Sequence, residues 1–414
     1  MSGLRRVVVT GMGVVSSLGN CLDTFSQHLF SGHSGIALCQ RHGPEWPQKG
    51  DAPFEFLVGQ AQKPVLEDLP PHLSPQLLDD FSVFALSAAN QAVQHAGLPP
   101  LKEQGARTAV VMGSGIGGDT ARNLGTYRAY VLDRKPHPYT VVRAMANAAA
   151  SAISVVHGIT GPTFSINSAC ASAGHAIAQG RAMIRAGMAD VVLAGGSETL
   201  PSYSLYRAWQ SMRVLSQNGC HPFATERNGM VLGEGAGVVV LESYEAARQR
   251  GATVYAEITG CGINADATDM VQPNTQRMAE AMKAALDEGG HLPAEVDHIN
   301  AHGTGTKLND LAEAKAIHQL LGNRTSDVPV SACKSLLGHT IGAAGALECI
   351  ATVLTLFHGC APPTLMGQID PDCALFQPQK AIHRDFTLAL SNSFAFGGLN
   401  AVLALSRIDR KELS

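Results

Sequence analysis

The sequence predicts a duplicated α/β fold, and three observations predict it. A run of β-branched residues at 5–15 passes through Thr10-Gly11-Met12-Gly13, and the same arrangement returns at 254–262 as Thr259-Gly260-Cys261-Gly262. Each of these strands is followed by the same succession of amphipathic helix, short apolar strand and glycine loop. The chain of 414 residues also holds 43 glycines and is 45% hydrophobic but only 15% charged, where average domains run at about 25% charged and ~7% Gly. Such a composition excludes a disordered chain and points to a large core with tight backbone. Two halves follow, residues 1–251 and 252–414.

The elements can be justified in order. Residues 5–15 form the first strand, which ends in a glycine turn. The polar, Pro-containing stretch from 41 to 75 reads as an excursion over the surface. A helix from Phe81 stops at Gly97, and the strand 108–112 runs into the loop Gly113-Ser-Gly-Ile-Gly-Gly118. That loop formally satisfies GxGxxG, but no βαβ unit with an acidic residue about 20 positions on follows it. It reads as a turn in which backbones approach closely. Residues 165–169 form a strand and its end, and a helix of small residues begins at Cys170. The polar helix 243–249 lies on the surface. In the second half, Met278, Ala281, Met282, Ala285 and Leu286 give a helical stripe that ends at Gly289-Gly290. The strand 296–300 then leads into His302-Gly-Thr-Gly-Thr306, and a second helix of small residues starts just after His339. Small faces permit close packing, which places both Gly/Ala helices at the centre of the molecule.

Charge and cysteine usage exclude several classes. With 30 basic and 34 acidic residues the net charge is -4, so no basic excess exists for nucleic acid. The apolar run after Arg5-Arg6 is too short for a signal peptide. The apolar stretch 341–357 carries Glu348 and falls short of the ~20 residues a membrane span needs, so it reads as a buried core helix. Nine cysteines, an odd number without CxxC pairs, argue for reduced thiols in a cytosol-like compartment, with no disulfide framework and no structural zinc. Neither GxxxxGK[ST] nor HExxH occurs.

Chemistry concentrates at Cys170, His302 and His339. A thiol at a helix start is expected to have its pKa lowered by unpaired N–H groups. His302 directly follows a strand, and His339 stands at the mouth of the second Gly/Ala helix, so duplication matches them to the elements that present Cys170. Lys334 and Glu313 lie close by in sequence.

These residues sit in blocks that together resemble the β-ketoacyl-acyl carrier protein synthases of the thiolase superfamily. The likeness is to the Cys-His-His synthase I/II group, nearest synthase II, and to the related type II polyketide ketosynthases. The blocks are VVVTGMGVVSSLG, GSGIGG at 113–118, INSACASAGHAI around Cys170, NGMVLGEGAGVVVLE at 228–242, NAHGTGTKLND at 300–310, SACKSLLGHTIGAAGALE at 331–348 and SNSFAFGGLN at 391–400. They fall in the family order and span essentially the whole chain.

The resemblance implies a thiolase-like fold of five layers, α-β-α-β-α, and a decarboxylative condensation. Cys170 takes an acyl group from a carrier protein. His302 and His339 hold the malonyl thioester carbonyl as an enolate forms. Lys334 and Glu313 match a buried Lys/Glu pair, and Phe396 matches both an oxyanion amide and a gating aromatic. Ile116 matches a position bordering the acyl tunnel; Thr304, Thr306, Gly397 and Gly398 fall on the substrate side. Arg134, Lys135 and Arg213 match carrier-docking positions. By the same likeness the enzyme has no cofactor of its own, since phosphopantetheine comes on the acyl carrier protein, and forms a homodimer or a heterodimer with a related subunit. Ala395, Leu399, Lys307–Asp310, the LSPQLLDD run at 73–80, His221 and Ala224 in His221-Pro-Phe-Ala224, and Asn228 depart from the family pattern, which leaves carrier, chain length and pathway open. An acyl-thioester hydrolase and a non-elongating chain-length partner remain the alternatives. A degradative thiolase would need a second Cys in SNSFAFGGLN, and a synthase III an Asn in place of His339.

Overall fold

Ten strands join in one sheet in the computed structural model, which describes residues 5–41, 46, 53–66 and 69–408. They are β1 (Val7–Ser16), β2 (Thr108–Gly113), β3 (Thr163–Ile166), β4 (Val191–Glu198), β5 (Gly235–Ser243), β6 (Ala256–Ala265), β7 (His298–Asn300), β8 (Val330–Ser331), β9 (Leu388–Ala395) and β10 (Leu399–Ser406). From the middle outward one side runs β1-β5-β4-β2-β3 and the other β6-β10-β9-β7-β8. Adding five to each strand of the first half gives the second. The directions repeat too: the two inner pairings of each half are antiparallel and the two outer ones parallel. The halves meet at a seam of two residue pairs, Val8 with Glu257 and Val9 with Ala256.

Side-chain alternation builds layers on this sheet. Val192 and Ala194 of β4 face a central core with helices α2 (Ser172–Arg185) and α5 (Ala344–His358). Leu193, between them, faces an outer core under α1 (Asp80–His95). Equivalent residues of β9 and β10 pack outward on α3 (Thr275–Gly289) and α4 (Lys307–Leu321). The two halves of the sheet thus enclose the central helices, and the order of layers is helix, half-sheet, helix, half-sheet, helix.

The repeated Thr-Gly-x-Gly has a packing cause. A Cβ at Gly13 would lie 2.0 Å from Ala88 O on α1, and one at Gly262 would lie 1.8 Å from Ala281 O on α3. In both halves the outer helix touches strand backbone, so only glycine fits. The central helices pass equally close: a Cβ at Gly345 would meet Gly174 N at 2.8 Å. Each central helix is preceded by the same three-residue 3₁₀ turn, Ala169–Ala171 and Ile341–Ala343, opened by a residue at positive φ, Ala169 at 48° and Ile341 at 43°. Strain of this kind persists only where surrounding structure enforces it.

Several expectations change. The first strand does not end in a glycine turn; it runs through Gly11 and Gly13 to Ser16. The segment 41–75 is not wholly an excursion: Phe54–Gly59 pairs with Ile36–Arg41, and its period-2 residues Phe56 and Val58 are buried. Cys170 sits in the tight turn, and the α-helix proper begins at Ser172. Length does not decide against a membrane span as expected, since the apolar run Ile341–His358 has 18 residues and is long enough, but 89% of it is buried inside the fold, as a core helix would be.

Candidate active site

The strained turn at Ala169 presents Cys170 beneath the second half, 4% exposed. Its sulfur lies 3.0 Å from Nε2 of His339 and faces the backbone N–H of Phe396. Burial pushes the thiol up to about 12, against the pull of the Lys334 charge and the Phe396 amide. This corrects the expectation of a lowered thiol pKa: the helix start is present, but loss of water outweighs it.

Both histidines are fixed as donors into the site. Ile341 N–H donates to Nδ1 of His339 at 3.2 Å, so the ring proton sits on Nε2, toward Cys170. Nδ1 of His302 lies 3.1 Å from the Lys334 ammonium, which leaves its proton on Nε2 as well. The rings stand edge to face with centroids 5.4 Å apart. Burial first, and the Lys334 charge second, hold both imidazoles well below their ordinary pKa, so they are neutral N–H donors at physiological pH.

The pairing of Lys334 with Glu313 is not what forms. The three protons of the Lys334 ammonium go to Nδ1 of His302, to His302 O at 2.6 Å and to Glu348 Oε1. Glu348, inside α5, is therefore the ion-pair partner, with both side chains at most 2% exposed. Glu313 sits on the other side of the His302 loop and accepts the N–H groups of His302 and Gly303 at 2.7 and 2.8 Å, with Asn392 Nδ2 at 3.2 Å. It shapes the loop rather than neutralising the lysine. Glu348 had a signal in the sequence, because one carboxylate in an otherwise apolar buried helix must find a partner.

A cavity of about 480 Å³ leads to these groups, with Cys170, His302 and His339 at its floor and Phe394, Phe396 and Met278 among its walls. Thr304, Thr306, Gly398 and Arg213 line it, as do Lys307 and Asn228, which sequence reasoning noted only as departures. Gly397 is not on the wall; at φ 81° it sends its N–H to Met270 O and so shapes the turn that carries Phe396. Phe396 packs on Trp209 with ring centroids 5.9 Å apart. Ile116 also lies off this cavity, on a loop that packs at Gly117 and Gly118 against Arg143, Ala144 and Ala146. Arg134 and Lys135 are exposed, beyond the cavity lining, beside the helix Asp119–Tyr130.

Cys170, His302 and His339 bring three potential ligand atoms within 4.8 Å of one another. The donor set does not fit a metal. A ligating Nε2 needs its lone pair free and usually a proton on Nδ1, whereas here an ammonium and an amide N–H already occupy the Nδ1 lone pairs.

The sequence matches the Beta-ketoacyl synthase, N-terminal domain over residues 4–247 and the Beta-ketoacyl synthase, C-terminal domain over 255–368. It is 40% identical over 411 residues to Nodulation protein E of Rhizobium sp. (strain N33), covering 98% of this chain and 100% of the relative. It is 34% identical over 422 residues to 3-oxoacyl-[acyl-carrier-protein] synthase 2 of Staphylococcus aureus (strain COL), covering 99% and 100%. A solved type II PKS acyl-carrier protein in complex with its ketosynthase bound to the hexaketide superposes with a TM-score of 0.87 at 28% identity, covering 98% of this chain and 100% of that one.

Proposed function

The chain belongs to the β-ketoacyl synthase family, and from that premise we propose that Cys170, His302 and His339 extend an acyl chain by two carbons with loss of carbon dioxide. The observation that carries the reading is the pair of neutral Nε2–H donors fixed beside a buried thiol.

In the first half-reaction the Cys170 sulfur attacks the acyl thioester carbonyl, the bond to the carrier's sulfur breaks, and the carrier leaves as a thiol with the proton from Cys170. Charge on the tetrahedral oxygen is held by the amides of Cys170 and Phe396; each such donor is worth about 2.7–4 kcal/mol. In the second, the malonyl thioester oxygen accepts from His302 and His339. The bond to the carboxylate breaks, carbon dioxide leaves, and the electron pair passes to an enolate at that oxygen. Neutral donors suit this step, because they bind the oxygen more strongly as charge develops on it. The enolate carbon then attacks the acyl-Cys170 carbonyl, and the thiolate leaves and recovers a proton. No resident cofactor enters.

The substrates arrive on an acyl carrier protein, which docks at the cavity mouth. Arg213 and Lys307 are exposed there with no ion pair among the described residues, beside exposed Met212, Val271 and Leu308. Cations among apolar side chains suit an acidic partner with an apolar face. Exposed Tyr130, Val131, Val141, Val142 and Met145, with Phe164 on the edge strand β3, supply a surface for a second copy or a related subunit. Nine free cysteines suit a reducing, cytosol-like compartment.

Purified protein given acyl- and malonyl-carrier proteins is expected to yield carbon dioxide and a β-ketoacyl carrier two carbons longer. Release of free acid in its place would overturn the reading in favour of a hydrolase.

A further inference from the structure

Two cations stand at the mouth of the cavity, and the backbone fixes both there. Among the described residues that line it, Arg213 and Lys307 carry the arginine and lysine charges and Asp266 the carboxylate. Asp266 is 3% exposed and already accepts Asn400 Nδ2 at 2.7 Å and Asn274 N–H at 2.9 Å, so it is committed inside the wall. Arg213 follows the helix Tyr203–Ser211 at φ 57°, in the left-handed place after a helix end that glycine usually takes. A residue with a Cβ is strained there, so the backbone gains nothing from arginine and the side chain is what the position supplies. The two cations share one ridge of bonded backbone. Met230 N–H donates to Val214 O at 2.8 Å, and Gly229 N–H donates to Gly305 O at 3.0 Å. A Cβ at Gly229 would lie 2.7 Å from Val214 O, and one at Gly305 would lie 2.8 Å from Gly229 O. Arg213 precedes Val214, and Lys307 comes two residues after Gly305.

Depth decides which part of a substrate meets this ridge. His302, Thr304, Thr306 and Lys307 all line the cavity, so a single loop runs from its floor to its mouth. The steps from His302 to Lys307 span at most about 17 Å of chain, and less here because Gly303 and Gly305 bend the loop at φ 40° and 77°. On the function proposed above, the substrate thioester lies beside His302. From its sulfur a phosphopantetheine arm runs through two amides to phosphorus over about 13 bonds, ~16 Å when extended. The phosphate, which is the charged group of the arm, therefore emerges at or just beyond Lys307. Guanidinium and ammonium suit a phosphodiester, the first by paired hydrogen bonds and the second as a point charge.

We infer that Arg213 and Lys307 hold the phosphodiester of the carrier's arm, so that the cavity mouth recognises the arm itself and not only the protein that bears it. The inference rests on the ketosynthase reading and deepens it by naming the group these two cations take.

The test follows loading of Cys170 by intact mass from two small probes, S-butyryl pantetheine and its 4′-methyl phosphodiester, which bears the single negative charge of the carrier-bound arm. Wild type is expected to show a KM about tenfold lower for the phosphodiester at low salt, with similar kcat, and to lose most of that difference at about 1 M salt, where the Debye length is ~3 Å. Arg213→Gln and Lys307→Gln are each expected to narrow the difference to about threefold, and the double variant to about twofold or less, through KM for the phosphodiester alone. A merely structural role would move both probes together, and that result would overturn the inference. So would a wild-type ratio near one, a ratio that survives in the double variant, or loading from acyl-carrier protein but from neither probe; a raised KM for acyl-carrier protein in the double variant would then assign the cations to the carrier's acidic side chains. Failure of the function itself is distinct, because wild type would load Cys170 neither from the probes nor from acyl-carrier protein.

Discussion

Replacing Lys334 by Met separates two tasks assigned to one ammonium. The substitution keeps the unbranched stem as far as Cε and removes, with the terminal ammonium, three hydrogen bonds at once, to Glu348, to His302 O and to His302 Nδ1. Breaking a buried pair from one side costs about 3–5 kcal/mol. Burial already raises Glu348 to about 7 with the lysine in place, so without it the carboxyl takes up a proton and the cost falls at the lower end, about 3 kcal/mol. Urea unfolding reads that loss directly. Malonyl decarboxylation is expected to fall by about 10–100-fold, by analogy with the loss seen when the partner that orients a metal-bound imidazole is removed. The double variant Lys334→Met/Glu348→Gln separates the tasks, because it removes both charges. Stability is expected to return to within about 1 kcal/mol of wild type, while decarboxylation stays low. Recovery of both in the double variant would refute the reasoning, since Lys334 would then serve only to neutralise Glu348 and not to set the His302 tautomer.

Other predictions follow from the same geometry. Cys170→Ala is expected to abolish acyl loading, whereas His302→Ala and His339→Ala mainly impair carbon dioxide release; loss of loading alone in both histidine variants would contradict their roles. Because burial pushes the Cys170 thiol up to about 12, its iodoacetamide labelling, followed by peptide mass, is expected to rise by roughly tenfold per pH unit from 7 to 9, and a plateau below pH 8 would reveal a preformed thiolate. Gly345→Ala gains about 1 kcal/mol of helix propensity but drives a Cβ to 2.8 Å from Gly174 N. Overpacking of about 1–3 kcal/mol on unyielding backbone wins, and urea unfolding is expected to show a net loss. Arg213→Glu with Lys307→Glu is expected to raise KM for carrier-borne substrate by about tenfold, while a free pantetheine thioester reacts as before; the same reversal at Arg134 and Lys135 shows whether those cations take part in docking.

The sequence made the duplication legible because its cause is local: each Thr-Gly-x-Gly records a helix resting on strand backbone, at Ala88 in one half and Ala281 in the other. Cys170, His302 and His339 were legible because a reactive side chain directly after a strand or at a helix mouth is a positional signal. What failed depended on depth and path. A helix start at Cys170 is visible in the chain, but the burial that overrides it is not. Glu313 is near His302 in sequence, yet α4 carries its carboxylate to the loop amides, while Glu348 comes to Lys334 from within α5. Glu198 ends a strand of ordinary appearance, and only the fold shows that two glycine turns from opposite halves converge on it.

On the proposed mechanism Cys170 holds the growing chain while His302 and His339 drive carbon–carbon bond formation. Mass spectrometry of the Cys170 peptide tests it most directly, first after a panel of acyl-carrier substrates and then after a chase with malonyl-carrier protein. An acyl mass is expected on Cys170 that disappears in the chase as a carrier-bound β-ketoacyl product two carbons longer accumulates. An acyl-Cys170 that decays only to free acid, or a product formed with Cys170 never loaded, would contradict it.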